Sequence, residues 1–140
     1  MKKLLGILSL ALCLVGCSDG PDEVVVAYFR ALSRGDFDKA SEYVSEDTKP
    51  SIKMMADVPD AAKDAIKKFK GVTFKVVKTK IDGDDAIVKI QFEKDDETGT
   101  DEYCLIKEDG DWKVDMVATI GYKMEKAADA IEAAGAINDL

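Results

Sequence analysis

The 140-residue sequence contains no histidine, three cysteines, three prolines and one tryptophan. Without histidine, a Ser-His-Asp triad, a Cys-His pair and a histidine-ligated metal centre are all excluded. The apolar stretch from Leu4 to Leu14 is shorter than the roughly 20 residues that a membrane-spanning helix needs. The apolar fraction of 46% and the charged fraction of 34% are typical of a folded globular chain. The composition therefore indicates one ordinary domain and excludes a disordered chain.

Residues 1–16 have the pattern of a signal peptide. Lys2 and Lys3 form a basic start, and the apolar stretch that follows has the length of a secretory signal core. It leads into Leu14-Val15-Gly16-Cys17, which resembles a bacterial lipobox. The resemblance implies cleavage between Gly16 and Cys17, diacylglyceryl transfer to the Cys17 thiol and N-acylation, with palmitate as the fatty acid. A plain signal peptide that happens to contain a cysteine is the alternative.

Lipidation of Cys17 predicts a protein anchored to a bacterial cell envelope, with residues 17–20 as a short tether. Two or three acyl chains hold a protein stably at a membrane. Ser18, rather than aspartate, follows the cysteine, which favours the outer membrane if the host is Gram-negative. Processing removes two lysines and no acid, so the net charge falls from -8 to -10. That charge opposes binding to nucleic acid.

Helical periodicity occupies the first half of the predicted mature chain. Pro21 suits a first helical position, and Gly35 followed by Asp36 marks the end of one helix and the cap of the next. These signals predict a helical hairpin over residues 21–45. A short helix broken before Pro59 and a longer one from Pro59 to Gly71 complete the helical half.

Four alternating apolar patterns then predict four strands, which begin near Val72, Ala86, Tyr103 and Trp112. Their predicted connections are Asp82-Gly83, a longer acidic loop from Asp95 to Thr100, and Asp109-Gly110. Asp-Gly between alternating patterns is a strong hairpin signal. The last strand is predicted to extend through Met116 and Val117, with Asp115 pointing outward, and residues 121–140 form a C-terminal helix.

This order of elements predicts an α+β fold in which N-terminal helices pack on a curved antiparallel sheet of about four strands, followed by a C-terminal helix. Three stretches, Pro21-Asp22-Glu23-Val24-Val25, Gly35-Asp36-Phe37 and Trp112-Lys113-Val114, resemble the beginning and end of a nuclear-transport-factor-2-like (NTF2-like, or cystatin-like) domain. The resemblance is to small uncharacterised bacterial lipoproteins with that fold, and it places the domain at residues 21–120. It implies a fold and no particular activity.

The resemblance also implies a cone between helices and sheet, whose open end holds a small apolar ligand. The large apolar side chains are candidates to line it, or alternatively they simply fill the core. The candidate lining residues are Tyr28, Phe29, Phe37, Tyr43, Met54, Phe92, Tyr103, Trp112 and Met116.

Two functions remain open, besides a structural envelope protein with no ligand. The first is a non-catalytic binding or interaction module, with no cofactor, whose partner is an unknown small ligand or envelope protein. The alternative is an envelope enzyme that acts on a small apolar or glycan substrate in the cone. An enzyme needs an ionisable side chain inside the cone, and such a residue usually interrupts the apolar face of a strand. The sequence shows no such interruption, so no catalytic residue is predicted. The acidic turns lack the ligand spacing of a calcium loop, so no metal site is predicted.

Overall fold

The computed structural model describes residues 19–138, with side chains described up to Gly135. Within that range, no helix combines the length and the apolar character needed to cross a membrane. Gly16 and Cys17 lie outside the described residues, so signal cleavage and lipidation stay predictions.

Four helices form the N-terminal half: α1 (Pro21–Arg34), α2 (Phe37–Glu42), α3 (Lys49–Asp57) and α4 (Pro59–Phe69). Pro21 opens α1, and the Glu23 carboxylate accepts a hydrogen bond from the Gly20 amide at 3.3 Å. The predicted hairpin of the first two helices is therefore present, and α1 buries its apolar stripe against the sheet.

The turn between α1 and α2 depends on Gly35, whose φ of 72° lies in the left-handed region. Asp36 then caps α2, because its carboxylate accepts a hydrogen bond from the Lys39 amide at 3.0 Å. A Cβ atom on Gly35 would lie 2.7 Å from Cδ1 of Ile66 in α4. Glycine is therefore favoured here by the backbone angle, and a larger residue would in addition displace the end of the Ile66 side chain.

Four antiparallel strands follow in the order β1 (Thr73–Asp82), β2 (Asp85–Lys94), β3 (Glu97–Glu108) and β4 (Asp111–Val114). This arrangement confirms the predicted fold class. The core lies between α1 and the inner face of the sheet. Buried side chains on that face are Ala86, Val88, Ile90, Tyr103, Leu105, Trp112 and Val114.

The predicted acidic loop from Asp95 to Thr100 is wrong. Asp95 and Asp96 form a two-residue turn with φ angles of 50° and 64°, and Lys94 pairs with Glu97. Aspartate tolerates the left-handed conformation that such hairpin turns require. Strand β3 therefore begins at Glu97, well before the predicted start at Tyr103. Its first residues are polar or glycine, so no apolar alternation marked them as a strand.

The C-terminal helix α5 (Met116–Asn138) begins earlier than predicted, so Met116 and Val117 are helical. Asp115 is 8% exposed, which corrects the prediction that it points outward. Its carboxylate accepts a hydrogen bond from the Ala118 amide at 2.9 Å and caps α5. The strand pattern thus ends one residue before the cap.

Helix α5 covers the edge of β3 that the short β4 leaves unpaired. The Cys104 carbonyl accepts a hydrogen bond from the Asp115 amide at 2.9 Å. The Cys104 amide donates to Oγ1 of Thr119, also at 2.9 Å. These two bonds satisfy the Cys104 amide and carbonyl, which would otherwise be free to pair with another strand.

Candidate functional site

An aromatic cluster surrounds Phe29 at one end of the core. Its ring centroid lies 4.9 Å from that of Tyr103, 5.2 Å from Phe74, 5.5 Å from Phe69 and 5.7 Å from Phe92. Aromatic pairs at these separations contribute roughly 0.5–1.5 kcal/mol each beyond simple burial. The cluster therefore joins α1, α4 and the first three strands into one rigid wall.

A cleft of about 270 Å³ opens against this wall, and we call it the aromatic cleft. It lies where the end of α4 approaches the inner face of β2 and β3. Its lining residues are Lys68, Phe69, Val72, Phe92, Asp101 and Tyr103.

The aromatic cleft continues toward the β2–β3 turn. A neighbouring depression of about 560 Å³ shares Val72 and Phe92 with it and extends to Gly99. Gly99 pairs with Phe92, and no other atom lies within 4 Å of the position that a Cβ on Gly99 would occupy. The space beside Phe92 is therefore open because residue 99 has no side chain.

Asp101 lies on the inner face of β3, in register with Tyr103 and Leu105. It pairs with Ile90, whose side chain is fully buried. The prediction that no acid lies on the apolar face of a strand is therefore wrong. The error follows from the misplaced loop, since a loop up to Thr100 left Asp101 without a strand face.

Asp101 makes two side-chain contacts at the rim of the cleft. Its Oδ2 accepts hydrogen bonds from the Tyr103 hydroxyl at 3.1 Å and from Lys123 Nζ at 2.7 Å. Lys123 belongs to α5, and its Nζ also lies 4.9 Å from the centroid of the Tyr103 ring. The three side chains form one connected group with an acid, a cation and a phenol.

The electrostatics of this group keep Asp101 ionised. Partial burial raises the pKa of Asp101, but hydrogen bonds from Lys123, the Glu102 amide and Tyr103 outweigh it. The pKa therefore lies below its ordinary value of 3.8. Burial, and secondarily the charge of Asp101, raise the pKa of the Tyr103 phenol above its ordinary value of 10.0. At neutral pH the group contains a carboxylate, an ammonium and a neutral phenol.

This protonation state suits binding better than proton transfer. A general base works best when its pKa lies near the working pH, and the pKa of Asp101 is shifted away from that range. The Asp101 side chain also remains 38% exposed, so the carboxylate sits at the rim and not deep in the core. The cleft thus offers apolar walls and fixed polar groups at one end.

The candidate lining residues do not surround one common cavity. Phe92 and Tyr103 line the aromatic cleft, Phe29 packs behind them, and Tyr28 is buried next to Phe29 with ring centroids 5.0 Å apart. Burial raises the pKa of Tyr28 to about 12. Tyr28 and Phe29 therefore belong to the core behind the cleft.

The remaining candidates lie elsewhere. Tyr43 and Trp112 line a depression of about 320 Å³ near the opposite end of β3, and Phe37 lines a groove between α2 and α3. Met116 is half-buried at the start of α5. Met54 is 67% exposed, which corrects its assignment to a pocket. Apolar periodicity placed Met54 on a helix, but α3 buries a different side, that of Ile52.

The groove between α2 and α3 is larger, at about 560 Å³, but it is a weaker candidate. Charged side chains of both signs line it, including Asp38, Lys53 and Asp57, and Lys49 within it pairs with Glu46. It does not reach the aromatic cluster. Between residues 19 and 138, no three acidic or cysteine side chains converge as a metal site would require.

Sequence reasoning missed Asp101, Lys68, Phe69 and Lys123 as members of one site. Asp101 and Lys123 are 22 positions apart and come from a strand and a helix. No local spacing signals such a pair. The available signal was the run Thr98 to Tyr103, in which Asp101 precedes Tyr103 by two residues and so shares its face if the strand is extended.

Comparisons with known proteins agree with the fold. The sequence matches the DUF4878 family, a domain of unknown function, over residues 15–115. No curated protein matches it.

Among solved structures, an NTF2-like protein of Campylobacter jejuni, provisionally named a transpeptidase, has a TM-score of 0.55 at 16% identity; the match covers 69% of this chain and 98% of that one. An NTF2-like protein of unknown function from Cytophaga hutchinsonii has a TM-score of 0.41 at 13% identity, and the match covers 69% of this chain and 87% of that one. A protein of Sinorhizobium meliloti, provisionally named a polyketide cyclase, has a TM-score of 0.44 at 21% identity, and the match covers 66% of this chain and 92% of that one.

Proposed function

Because the chain belongs to the DUF4878 family and has an NTF2-like fold, we propose that it is a membrane-anchored bacterial envelope lipoprotein whose domain binds a small ligand without transforming it. The aromatic cleft is the proposed binding site. The observation that carries the proposal is the contact of Asp101 with Lys123 at 2.7 Å, which keeps the acid of the cleft charged and paired. A paired carboxylate orients a ligand but is a poor proton acceptor.

The chemistry of the cleft favours a small ligand with a flat apolar part and one polar end. Phe69, Phe92 and Val72 offer apolar walls, while Asp101 and Lys68 place charges at the margin. A volume of about 270 Å³ is small beside the roughly 300–1,000 Å³ of typical ligand pockets. The ligand is therefore smaller than a typical drug, or leaves part of itself in the adjoining depression beside Gly99.

Closing the cleft without disturbing the core tests this proposal. Gly99→Trp adds a large side chain on the inner face of β3, between Phe92 and Asp101 of the cleft, where no atom lies within 4 Å of the new Cβ and the backbone is not left-handed. Thr100→Trp is the matched control, because Thr100 is exposed on the opposite face of the same strand. The full chain is produced in bacterial cells, purified in detergent and analysed by native mass spectrometry.

A small-molecule adduct is expected on the wild-type and Thr100→Trp chains and not on Gly99→Trp. Loss of the adduct from both variants, or its presence on all three chains, would contradict binding in the aromatic cleft.

Membrane anchoring rests on the pattern of Lys2, Lys3 and Leu14-Val15-Gly16-Cys17. The wild-type chain is expected to enter the detergent phase in a phase-partitioning experiment, and Cys17→Ser is expected to stay in the aqueous phase or in the unprocessed precursor. Cys104→Ser is the matched control, because it removes a half-buried thiol outside the lipobox. Identical partitioning of the Cys17→Ser and wild-type chains would refute the anchor.

The contact between Tyr103 and Asp101 favours one second candidate, an envelope enzyme acting on a small apolar or glycan substrate. Catalysis by Asp101 requires a ligand to displace Lys123, so that burial dominates and the pKa of Asp101 rises. An NMR titration of the chain carrying its native adduct separates the two functions. A pKa of Asp101 that remains below 3.8 supports binding, and a rise to a value near neutrality supports catalysis.

A further inference from the structure

Helix α5 carries an apolar seam that its own domain leaves uncovered. Met124 and Ile131 are 68% and 73% exposed, and Val117 and Ile120 are also exposed. The side of α5 that faces β3 is a different one, marked by Thr119, whose side chain is fully buried. The exposed seam is therefore a second face of the helix and not a continuation of the core.

The seam has the spacing of a coiled coil. Its members recur alternately three and four positions apart, which is the a and d spacing of a heptad repeat. Unlike a single exposed apolar residue, this repeat extends over most of the helix. The members are Val117, Ile120, Met124, Ala127, Ile131 and Ala134.

The residues along one flank of the seam are small. Gly121, Ala128 and Gly135 lie along one side at intervals of seven positions, and open space surrounds both glycines. Lys123 lies on the other flank of the seam, and Glu125, Lys126, Asp129 and Glu132 lie on the remaining surface of the helix. An uncharged stripe with one flank of small residues lets a second helix approach closely from that side.

The outer part of α5, residues 124–135, is called the arm here; it contacts its own domain through the surface ion pair of Lys126 with Glu102 but buries no side chain against it. Residues 124–135 are all exposed, although they form a continuous helix. An isolated helix of that length is marginal in water, because packing of an apolar face supplies most helical stability. The arm therefore needs a packing partner along the seam.

We propose that this partner is α5 of a second copy of the chain, packed antiparallel to the first. In this register the layers are Met124 with Ala127, Ile120 with Ile131, and Val117 with Ala134 of the other copy. Two of the three layers place a large side chain against a small one, so the seam is complementary to itself. A self-complementary surface is what a two-fold symmetric dimer requires.

Charge favours the antiparallel arrangement over the parallel one. The second half of α5 contains Asp129 and Glu132 and no basic residue up to residue 138, whereas Lys123 and Lys126 of the first half pair with Asp101 and Glu102 of β3. Parallel packing places the acidic halves of the two copies side by side, whereas antiparallel packing separates them. The same acidic arm opposes adsorption to an anionic lipid surface, where a lysine-rich polar face is expected.

A charge placed in the seam tests the dimer. Met124→Glu puts a carboxylate against the second helix, and Met54→Glu makes the same change at a residue in α3 that is 67% exposed, against 68% for Met124. The mass of the full chain in detergent is measured by light scattering over a range of concentrations. Wild-type and Met54→Glu chains are expected to be dimers. The Met124→Glu chain is expected to be monomeric at the same concentrations, because the dissociation constant of its dimer is raised at least about tenfold.

A cooperative thermal unfolding transition of the Met124→Glu chain, with a loss of helical circular dichroism no larger than residues 124–135 account for, would establish that the domain itself is folded. A wild-type chain that is monomeric at every concentration would overturn the proposal. So would a Met124→Glu dimer as stable as the wild-type dimer, because the interface would then lie elsewhere.

Cysteine crosslinking tests whether the two α5 helices pack antiparallel. Each cysteine is added to a Cys104→Ser chain, and the Cys104→Ser chain without an added cysteine is the control. Ala127→Cys lies near the two-fold axis and is expected to join two copies through a short bifunctional maleimide. In the antiparallel register the two Ile131 positions are eleven residues apart along the axis, about 16 Å at 1.5 Å per residue. Ile131→Cys and the outward Asp129→Cys are therefore expected to remain uncrosslinked. Crosslinking through Ile131→Cys, or none through Ala127→Cys, would overturn the antiparallel dimer.

Discussion

Tyr103 donates its hydroxyl hydrogen to Oδ2 of Asp101 across 3.1 Å, and both side chains lie on the inner face of β3. They are two residues apart, so the strand's own geometry brings them together. The Lys123 Nζ contact with the same oxygen then ties α5 to the margin of the cleft. The cleft and the start of the C-terminal helix are thus one structural unit, and substitutions on α5 that remove this contact are expected to change the pKa of Asp101.

Lys123→Met is expected to raise the pKa of Asp101, because burial remains while the hydrogen bond and charge of the ammonium group are lost. NMR titration of the Asp101 carboxyl measures the change. Lys126→Met is the control, since Lys126 contacts Glu102 instead. An equal shift of the Asp101 pKa in both variants would mean that the Lys123 contact is absent in solution.

The same pair predicts a loss of stability in acid. The folded pKa of Asp101 lies below the ordinary value of 3.8, so its contribution is present above that pH and lost as the pH falls through the lower folded value. The contribution is at most about 1 kcal/mol, because both side chains are well exposed. Urea unfolding between neutral pH and pH 3 is expected to show a smaller acid loss for Lys123→Met than for the wild type.

Alkaline pH is expected to destabilise the domain through its buried phenols. Burial raises the pKa of Tyr28 to about 12, above the ordinary value of 10.0. The stabilisation is therefore intact below pH 10 and lost as the pH rises from 10 toward 12, because the unfolded chain ionises first. Tyr28→Phe is expected to flatten the decline in unfolding free energy over that range. Tyr122→Phe, at a half-buried site on α5, is the control that is expected to leave the decline in place.

Two side chains at the start of α5 are expected to contribute separately to stability, Asp115 through the helix and Thr119 through the backbone of β3. Asp115→Ala loses the bond to the Ala118 amide and is expected to cost about 1–2 kcal/mol. Thr119→Val leaves the Cys104 amide without its partner and is expected to cost roughly 1–3 kcal/mol. Asp129→Ala, on the exposed arm of α5, is expected to change the free energy of unfolding by less than about 0.5 kcal/mol.

Trp112 is expected to be a major contributor to the core. Its ring is 7% exposed and packs in the main apolar cluster, with Lys107 Nζ 5.1 Å from the ring centroid. Trp112→Ala is expected to cost about 3–5 kcal/mol in the free energy of unfolding. Lys107→Met separates the contribution of the cation from that of the buried ring, and should cost less than about 1 kcal/mol. A Trp112→Ala chain as stable as the wild type would contradict the burial of the ring.

The sequence by itself determined the elements whose signals are local. Gly35 and Asp36 mark a helix end and a helix cap by their own backbone and side-chain chemistry, and the Asp109-Gly110 pair marks a hairpin turn in the same way. Alternating apolar residues then identified four strands in the order that the sheet adopts. These features need only neighbours along the chain, so periodicity and turn chemistry were enough to predict the fold class.

Only the tertiary structure decided which polar residues share a site. Asp101 lies on an inner face because the turn at Asp95 and Asp96 is tight enough to extend β3, and Asp115 is buried because α5 begins one residue later. Lys123 reaches Asp101 only because α5 packs along the edge that β4 leaves free. Such contacts join residues far apart in the chain, and a shift of one strand register reverses every side chain. Their positions therefore depend on how the elements pack, and local sequence patterns carry no record of that packing.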